Sequence, residues 1–223
     1  MWKEIINIWT SDNLLSEAWE LSYEAIALNQ EMFKDAVEGL WGTKTKKTQK
    51  TVYKKDKLIN KYEREIRRKV LTHLSIQGST SLAPGLVLST IIVDIERIGD
   101  YIKNIVELAQ WHPDALEANG LKQLAAPLEL KLKTMLSDLP RILEEGDEDA
   151  ALEYYLENKE IGQTVDTIIE QIVRGSIEGL GPQCSAIMAL YFRYLKRINA
   201  HLRNIVSSVI NPFDRIGYDP KRK

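Results

Sequence analysis

The sequence is poor in the residues that staple a fold or do chemistry. It has one cysteine, Cys184, and three histidines, His73, His112 and His201, in 223 residues. A single cysteine excludes an intramolecular disulfide and argues against a thiolate metal site, which fits a reducing, cytosolic setting. No histidine stands three residues after a glutamate, so the paired Glu-x-x-His elements of a ferritin-like di-iron enzyme are missing. There is also no Gly-rich phosphate loop, no Ser-His-Asp or Cys-His arrangement and no zinc-type spacing, and the chain is expected not to be an enzyme.

Long apolar runs are missing too. A membrane-spanning helix needs roughly 20 apolar residues, and even Ile187 to Leu195 is interrupted by Arg193 and followed by Lys196 and Arg197. Met1 to Thr10 carries Lys3 and Glu4, which makes it too short and too charged for a secretory leader. Any contact with a membrane is therefore expected to be peripheral.

What the chain does have is helical periodicity. Apolar residues make up 44% of it, enough for a buried core. A first helix is predicted from Ser11 or Asp12, as N-cap, to Gly42, with Leu15, Ala18, Trp19, Ser22, Ala25 and Ile26 on one face. A second begins in the lysine-rich stretch and ends at the Gly78, Ser79, Ser81 break. Pro84 suits the first turn of a third, which stops near Trp111 and His112 because Pro113 disfavours helix before it. A fourth is expected over Asp114 to Leu143, with Pro127 and Pro140 as kinks or early ends. A fifth spans Asp147 to Ile177, and a sixth Gln183 to Ile210, ended by Asn211 and Pro212. Helices of about 30 residues run about 45 Å and need partners along their whole length, and short connections make neighbours antiparallel.

The third and sixth helices repeat each other. Arg97, Ile98, Asn104, Ile105 and Val106 recur one hundred residues later as Arg197, Ile198, Asn204, Ile205 and Val206, and Lys103 recurs as Arg203. The implied fold is all-α: two tandem antiparallel three-helix bundles related by internal duplication. Residues 1–10 form an N-terminal segment, 11–112 the first bundle, 113–211 the second, and 212–223 a C-terminal tail.

Within the third helix, Glu96-Arg97-Ile98-Gly99-Asp100 followed by Asn104-Ile105 resembles the signature of the PhoU family of phosphate-uptake regulators. The resemblance implies a tandem of three-helix bundles. It also implies a cytoplasmic, non-enzymatic adaptor, stationed peripherally at the inner membrane face, whose partners are a phosphate transporter component and a sensor histidine kinase. A homodimer is compatible with it. In the family, acidic pairs four residues apart on the second and third helices of each bundle hold iron or zinc. Residues four apart share a helix face, so two such helices converge their carboxylates. The matching positions here are Asp56, Asn60, Glu96 and Asp100, with one carboxylate replaced by an amide. In the second bundle Lys196, Ala200 and Gly162 replace acids and only Asp166 remains, so no second cluster is expected. The alternative function is storage or sensing of iron or zinc on the first acidic face.

The run Lys44, Lys46, Lys47, Lys50, Lys54, Lys55, Lys57 and Lys61 sits among threonines and Gln49. It lacks the aromatic groups on which a single strand stacks, so no nucleic-acid partner is expected. It reads as a solvated helix face. Lys46, Lys47, Lys50 and Lys54 are the candidates for a partner- or anion-binding surface.

Overall fold

The first helix starts at a side-chain cap. Asn13 Oδ1 accepts from the backbone N–H of Leu15 at 2.8 Å and of Ser16 at 3.1 Å, and the Ser16 hydroxyl faces back to the Asn13 N–H. This capping box satisfies donors that the first turn leaves unpaired. The computed structural model describes residue 2 and residues 13–42, 46–77, 81–112, 116, 118 and 120–220. Ser11 and Asp12, expected as caps, lie outside the described residues, as do Gly78, Ser79, Pro113 and all of residues 1–10 except Trp2.

Seven helices follow in order: α1 (Leu14–Trp41), α2 (Lys46–Gln77), α3 (Leu82–Trp111), α4 (Leu121–Glu145), α5 (Glu148–Glu157), α6 (Lys159–Val173) and α7 (Pro182–Ile210), with a short 3-10 turn at Phe213–Arg215. Helices α1, α2 and α3 pack on one another as the first bundle; α4, the α5–α6 pair and α7 form the second. The bundles are joined broadly, since α3 lies on α7 and α1 on α4, closing α1, α3, α7 and α4 into a ring. One continuous apolar core runs through both bundles, from Leu15 and Trp19 to Phe192 and Leu202. Each such side chain contributes about 1.5–3 kcal/mol on burial, so the apolar stripes fix which face of each helix points inward.

The structure corrects two helix predictions. Helix α4 starts at Leu121, not Asp114, and runs through both Pro127 and Pro140 to a Gly146 cap in the left-handed region. A proline at 140 has no N–H for the Leu136 carbonyl one turn back. Gln30 of α1 supplies the missing donor, its Nε2 lying 2.6 Å from Leu136 O. The second correction is to the predicted fifth helix, which is broken into α5 and α6 at Asn158 and ends at Val173. The Asn158 side chain donates to Tyr154 O at 2.8 Å, and buried Asn199 of α7 donates to Asn158 O at 3.0 Å. The first bond competes with the Asn158 N–H for Tyr154 O, which accepts both, and the second occupies the Asn158 carbonyl at the break.

Beyond α7 the chain folds back. Asn211 Nδ2 donates to the carbonyls of Arg215 and Tyr218, and Asp219 accepts from Tyr155 and Lys159, so residues 211–219 are tied to α5, α6 and α7.

Gly99, inside the third-helix motif, is a close-approach position. A Cβ there would stand 3.0 Å from Asn29 Oδ1 and 3.3 Å from Ile59 Cδ1, and Asn29 is fixed by its Nδ2 donating to Ile95 O at 2.8 Å. Glycine to alanine inside a helix ordinarily gains about 1 kcal/mol. Here Gly99→Ala is expected to destabilise instead, by about 1–3 kcal/mol, measured as a lower urea midpoint with unchanged slope; a stabilised variant would refute the close approach.

Candidate functional site

Three polar features stand out from the apolar core: an acidic face on the first bundle, a polar seam between the bundles, and a cationic outer face.

The acidic face is built where α2 lies beside α3. It brings Asp56 of α2 and Asp100 of α3 together, and the group between them is an ammonium. Lys103 Nζ donates to Asp56 Oδ1 at 3.1 Å and to Asp100 Oδ1 at 2.7 Å. Arg97 Nη1 lies 3.0 Å from the other Asp100 oxygen, and Arg97 Nε 3.6 Å from Glu96. Asn60 lies half-buried one turn beyond Asp56. Burial alone would lower the Lys103 pKa, but its hydrogen bonds to Asp100 and Asp56 more than offset that and leave it raised. Burial, and then the charge of Asp100, hold the Glu96 carboxyl above its usual range. A metal ion taken by Asp56, Asn60, Glu96 and Asp100 needs their oxygens free to converge on it. In this arrangement Asp56 and Asp100 converge on Lys103 and Glu96 pairs with Arg97, and among the described residues no three His, Cys, Asp or Glu side chains are placed to hold a metal ion. The second bundle follows the same rule, with Lys196 Nζ donating to Asp166 Oδ1 at 2.6 Å and Lys196 Cε lying 3.9 Å from where a Gly162 Cβ would stand.

The seam is where α3 crosses α7 antiparallel. Asp94 accepts from His201 Nδ1 at 2.7 Å and from Asn204 Nδ2 at 3.3 Å. Tyr101 stacks on His201 and packs against Tyr194, while Arg197 Nε donates to the Tyr101 hydroxyl at 3.1 Å. The contact is reciprocal: Asp94 meets His201 just as their counterparts one repeat away, Tyr194 and Tyr101, meet each other. The two helices therefore cross at equivalent points of the duplicated unit, the arrangement of a two-fold dimer within one chain. An Asp–His pair is also what orients a catalytic base. Here the far ring nitrogen, Nε2, faces Arg197 Nη2 at 3.4 Å, so the pair joins bundles instead of activating a nucleophile.

A second tie lies on α4, where Glu129 Oε1 accepts from Trp41 Nε1 at 2.7 Å and from the Tyr191 hydroxyl at 2.5 Å. Burial, reinforced by Glu129, pushes the Tyr191 hydroxyl far above its ordinary range and keeps it a donor.

Of the lysine run, Lys57 and Lys61 lie on the outside of α2, Lys55 turns to Glu31 of α1, and Lys44 lies outside the described residues. Lys47, Lys50 and Lys54 are exposed, and the Lys46 side chain lies outside the described residues. Sequence reading missed Lys103 as a counter-ion, although its match with Arg203 marked a retained cation. It also missed Asp94, His201, Gln30 and Glu129, whose partners are distant in sequence.

This geometry defines a class: a two-bundle all-helical scaffold, polar at its seam and along one outer helix. Residues 24–109 match the family model of the PhoU domain, a stretch that includes the third-helix motif and bears out the resemblance read from it. Its fold is similar to the crystal structure of PhoU from Pseudomonas aeruginosa, with a TM-score of 0.80 and 22% identity over 88% of this chain and 95% of that one. It is also similar to that of the phosphate transport system regulatory protein PhoU from Streptococcus pneumoniae, with a TM-score of 0.75 and 18% identity over 88% and 93%. No curated protein sequence matches the chain significantly. Among the described residues no helix is long and apolar enough to cross a membrane.

Two outcomes test the acidic face. Lys103→Met leaves Asp56 and Asp100 without their ammonium and is expected to cost about 1–2 kcal/mol, less than a fully buried pair would lose because these groups are partly exposed. Adding Asp56→Asn should recover part of that loss in chemical denaturation; a silent Lys103→Met would show that the pair contributes nothing. For Glu96, a raised folded pKa means that ionisation opposes folding. Glu96→Gln should therefore match the natural chain at acid pH and gain an advantage as pH rises through the carboxylate range, levelling off above the folded pKa of Glu96. Thermal melts across pH read this, and an advantage that shrank as pH rose would contradict it.

Proposed function

We propose that this chain is a non-enzymatic regulator of phosphate uptake that works as a helical adaptor. Its partners in this reading are a phosphate transporter component at the inner membrane face and a sensor histidine kinase, and it resides in the cytoplasm. The observation that carries the reading is the PhoU-domain match over residues 24–109, set within a fold shared with PhoU of Pseudomonas aeruginosa over 88% of the chain. The S. pneumoniae relative is described as a phosphate transport system regulatory protein, and the same role is inferred here. The seam supports an adaptor physically, because a buried, hydrogen-bonded contact between bundles holds two separate helix faces at one fixed angle. A partner that changes conformation can then be read by the fit of both faces at once.

Storage or sensing of iron or zinc on Asp56, Asn60, Glu96 and Asp100 is a second reading, favoured by the approach of Asp56 to Asp100 and opposed by Lys103 between them. Elemental analysis of purified protein separates the two: stoichiometric iron or zinc that disappears in Glu96→Ala/Asp100→Ala favours storage or sensing. For the leading reading, deletion in the native host is expected to raise phosphate uptake in phosphate-replete medium, and the full chain should recover a transporter component or a histidine kinase from host membranes. Unchanged uptake together with recovery of neither partner would overturn it.

A further inference from the structure

The outer face of α2 carries a pattern that phosphate regulation does not account for. Lys47, Lys50, Lys54, Lys57, Lys61, Arg64 and Arg68 are all exposed, and their spacing alternates three and four residues without a break. That spacing keeps them in one row on the helix with only a slow drift around it, over a length of about 31 Å. Of the three acids of α2, Asp56 is held by Lys103, Glu63 pairs with Arg67, and Glu65 is half-buried beside the row, one turn after Lys61. Lys55 and Lys69, which flank the row, are the cations that pair with α1, through Glu31 and Glu17. Among the described residues no ion pair neutralises a member of the row itself. The row is also open, because the principal neighbours of α2 are α1 and α3, on its other side. At the C-terminal end the register continues into Leu71, 68% exposed.

We propose that this face docks on an anionic lipid bilayer, with the cations against the headgroup phosphates and Leu71 entering the acyl boundary. Three observations select a bilayer over other anionic partners. Five of the seven cations are lysine, which is depleted at protein–protein interfaces, and the row has no apolar or aromatic anchor at its centre. Recognition of nucleic acid favours the planar fork of arginine and stacking aromatics, and neither dominates here. A straight, even row that ends in an exposed aliphatic side chain matches a flat charged surface with an apolar interior beneath it. The chain as a whole carries a formal charge of -2, and acids crowd residues 144–160 of the other bundle, so the same field would turn α2 toward the membrane and the second bundle away.

The test is co-sedimentation of the full chain with vesicles of phosphatidylcholine alone and of phosphatidylcholine mixed with phosphatidylglycerol. Binding is expected only to the mixed vesicles and should weaken steeply with salt. At about fivefold per cation, Lys50→Glu/Lys54→Glu/Lys57→Glu should lower the partition coefficient by at least about 100-fold. The corresponding triple arginine variant should bind like the natural chain. Leu71→Ser should weaken binding at low and high salt alike. All substitutions lie on the exposed face, and circular-dichroism melts establish that each variant is folded. Equal binding to neutral vesicles, undiminished binding of the triple glutamate variant, no binding to either vesicle, or tighter binding to a DNA duplex at matched salt would each overturn the proposal.

Discussion

Because α3 and α7 cross at equivalent points of a duplicated unit, each bundle supplies the surface that the other lacks. Both helices carry buried apolar residues along their whole length and could not face water. Their crossing buries Ile95, Ile98, Leu195 and Ile198 and places Asp94, Tyr101, Arg197 and His201 where only one register satisfies them all. A shift of one turn would leave Asp94 buried without a donor, a loss of about 1–3 kcal/mol or more for a charged group. The apolar part of the seam thus supplies the stability and the polar part supplies the uniqueness. The antiparallel contact of α1 with α4 follows, since closing the ring of α1, α3, α7 and α4 brings Gln30 to Leu136 and Trp41 to Glu129.

The charge pattern follows from the same architecture. Each bundle keeps an acidic residue on a face between two helices, and each neutralises it with a lysine from the repeated helix. The two copies do so from different positions, Lys103 in the first bundle and Lys196 in the second. The residue that corresponds to Lys103 in the second copy, Arg203, instead lies over the Tyr155 ring and beside Asp219 of the folded-back C-terminus. The duplication therefore preserved the packing surface closely, whereas each charged edge was settled by whatever packs next to it. The outer helix α2 has no further protein neighbour on its exposed side, and there the cations remain unpaired among the described residues.

Much of the fold was legible in the order of residues. Five of the six predicted helices appear as single helices, Pro84 sits in a first turn, and the paired segments Asp94 to Val106 and Tyr194 to Val206 occupy equivalent places in the two bundles. The misreadings share a physical origin. Pro127 and Pro140 looked like kinks or early ends of α4 because a proline removes one local hydrogen bond, and at Pro140 the freed carbonyl is satisfied by Gln30 from a helix about a hundred residues earlier. Asn158 looked like an ordinary helix residue because the partner that fixes the break, Asn199, is remote in sequence. For the acidic face, spacing placed Glu96 and Asp100 on one side of α3 and Asp56 and Asn60 on one side of α2. It carried no information about Lys103 reaching between the helices.

The sequence by itself determined helix content, the inward face of each helix, the duplication and the family signature. These depend on backbone periodicity and on residues within a few turns of one another. Only the tertiary structure decided which cation meets which carboxylate, where the fifth helix breaks, and which lysines stay in water. Each of those outcomes depends on the neighbour that an adjacent helix presents, and that neighbour is fixed only once the apolar faces have packed.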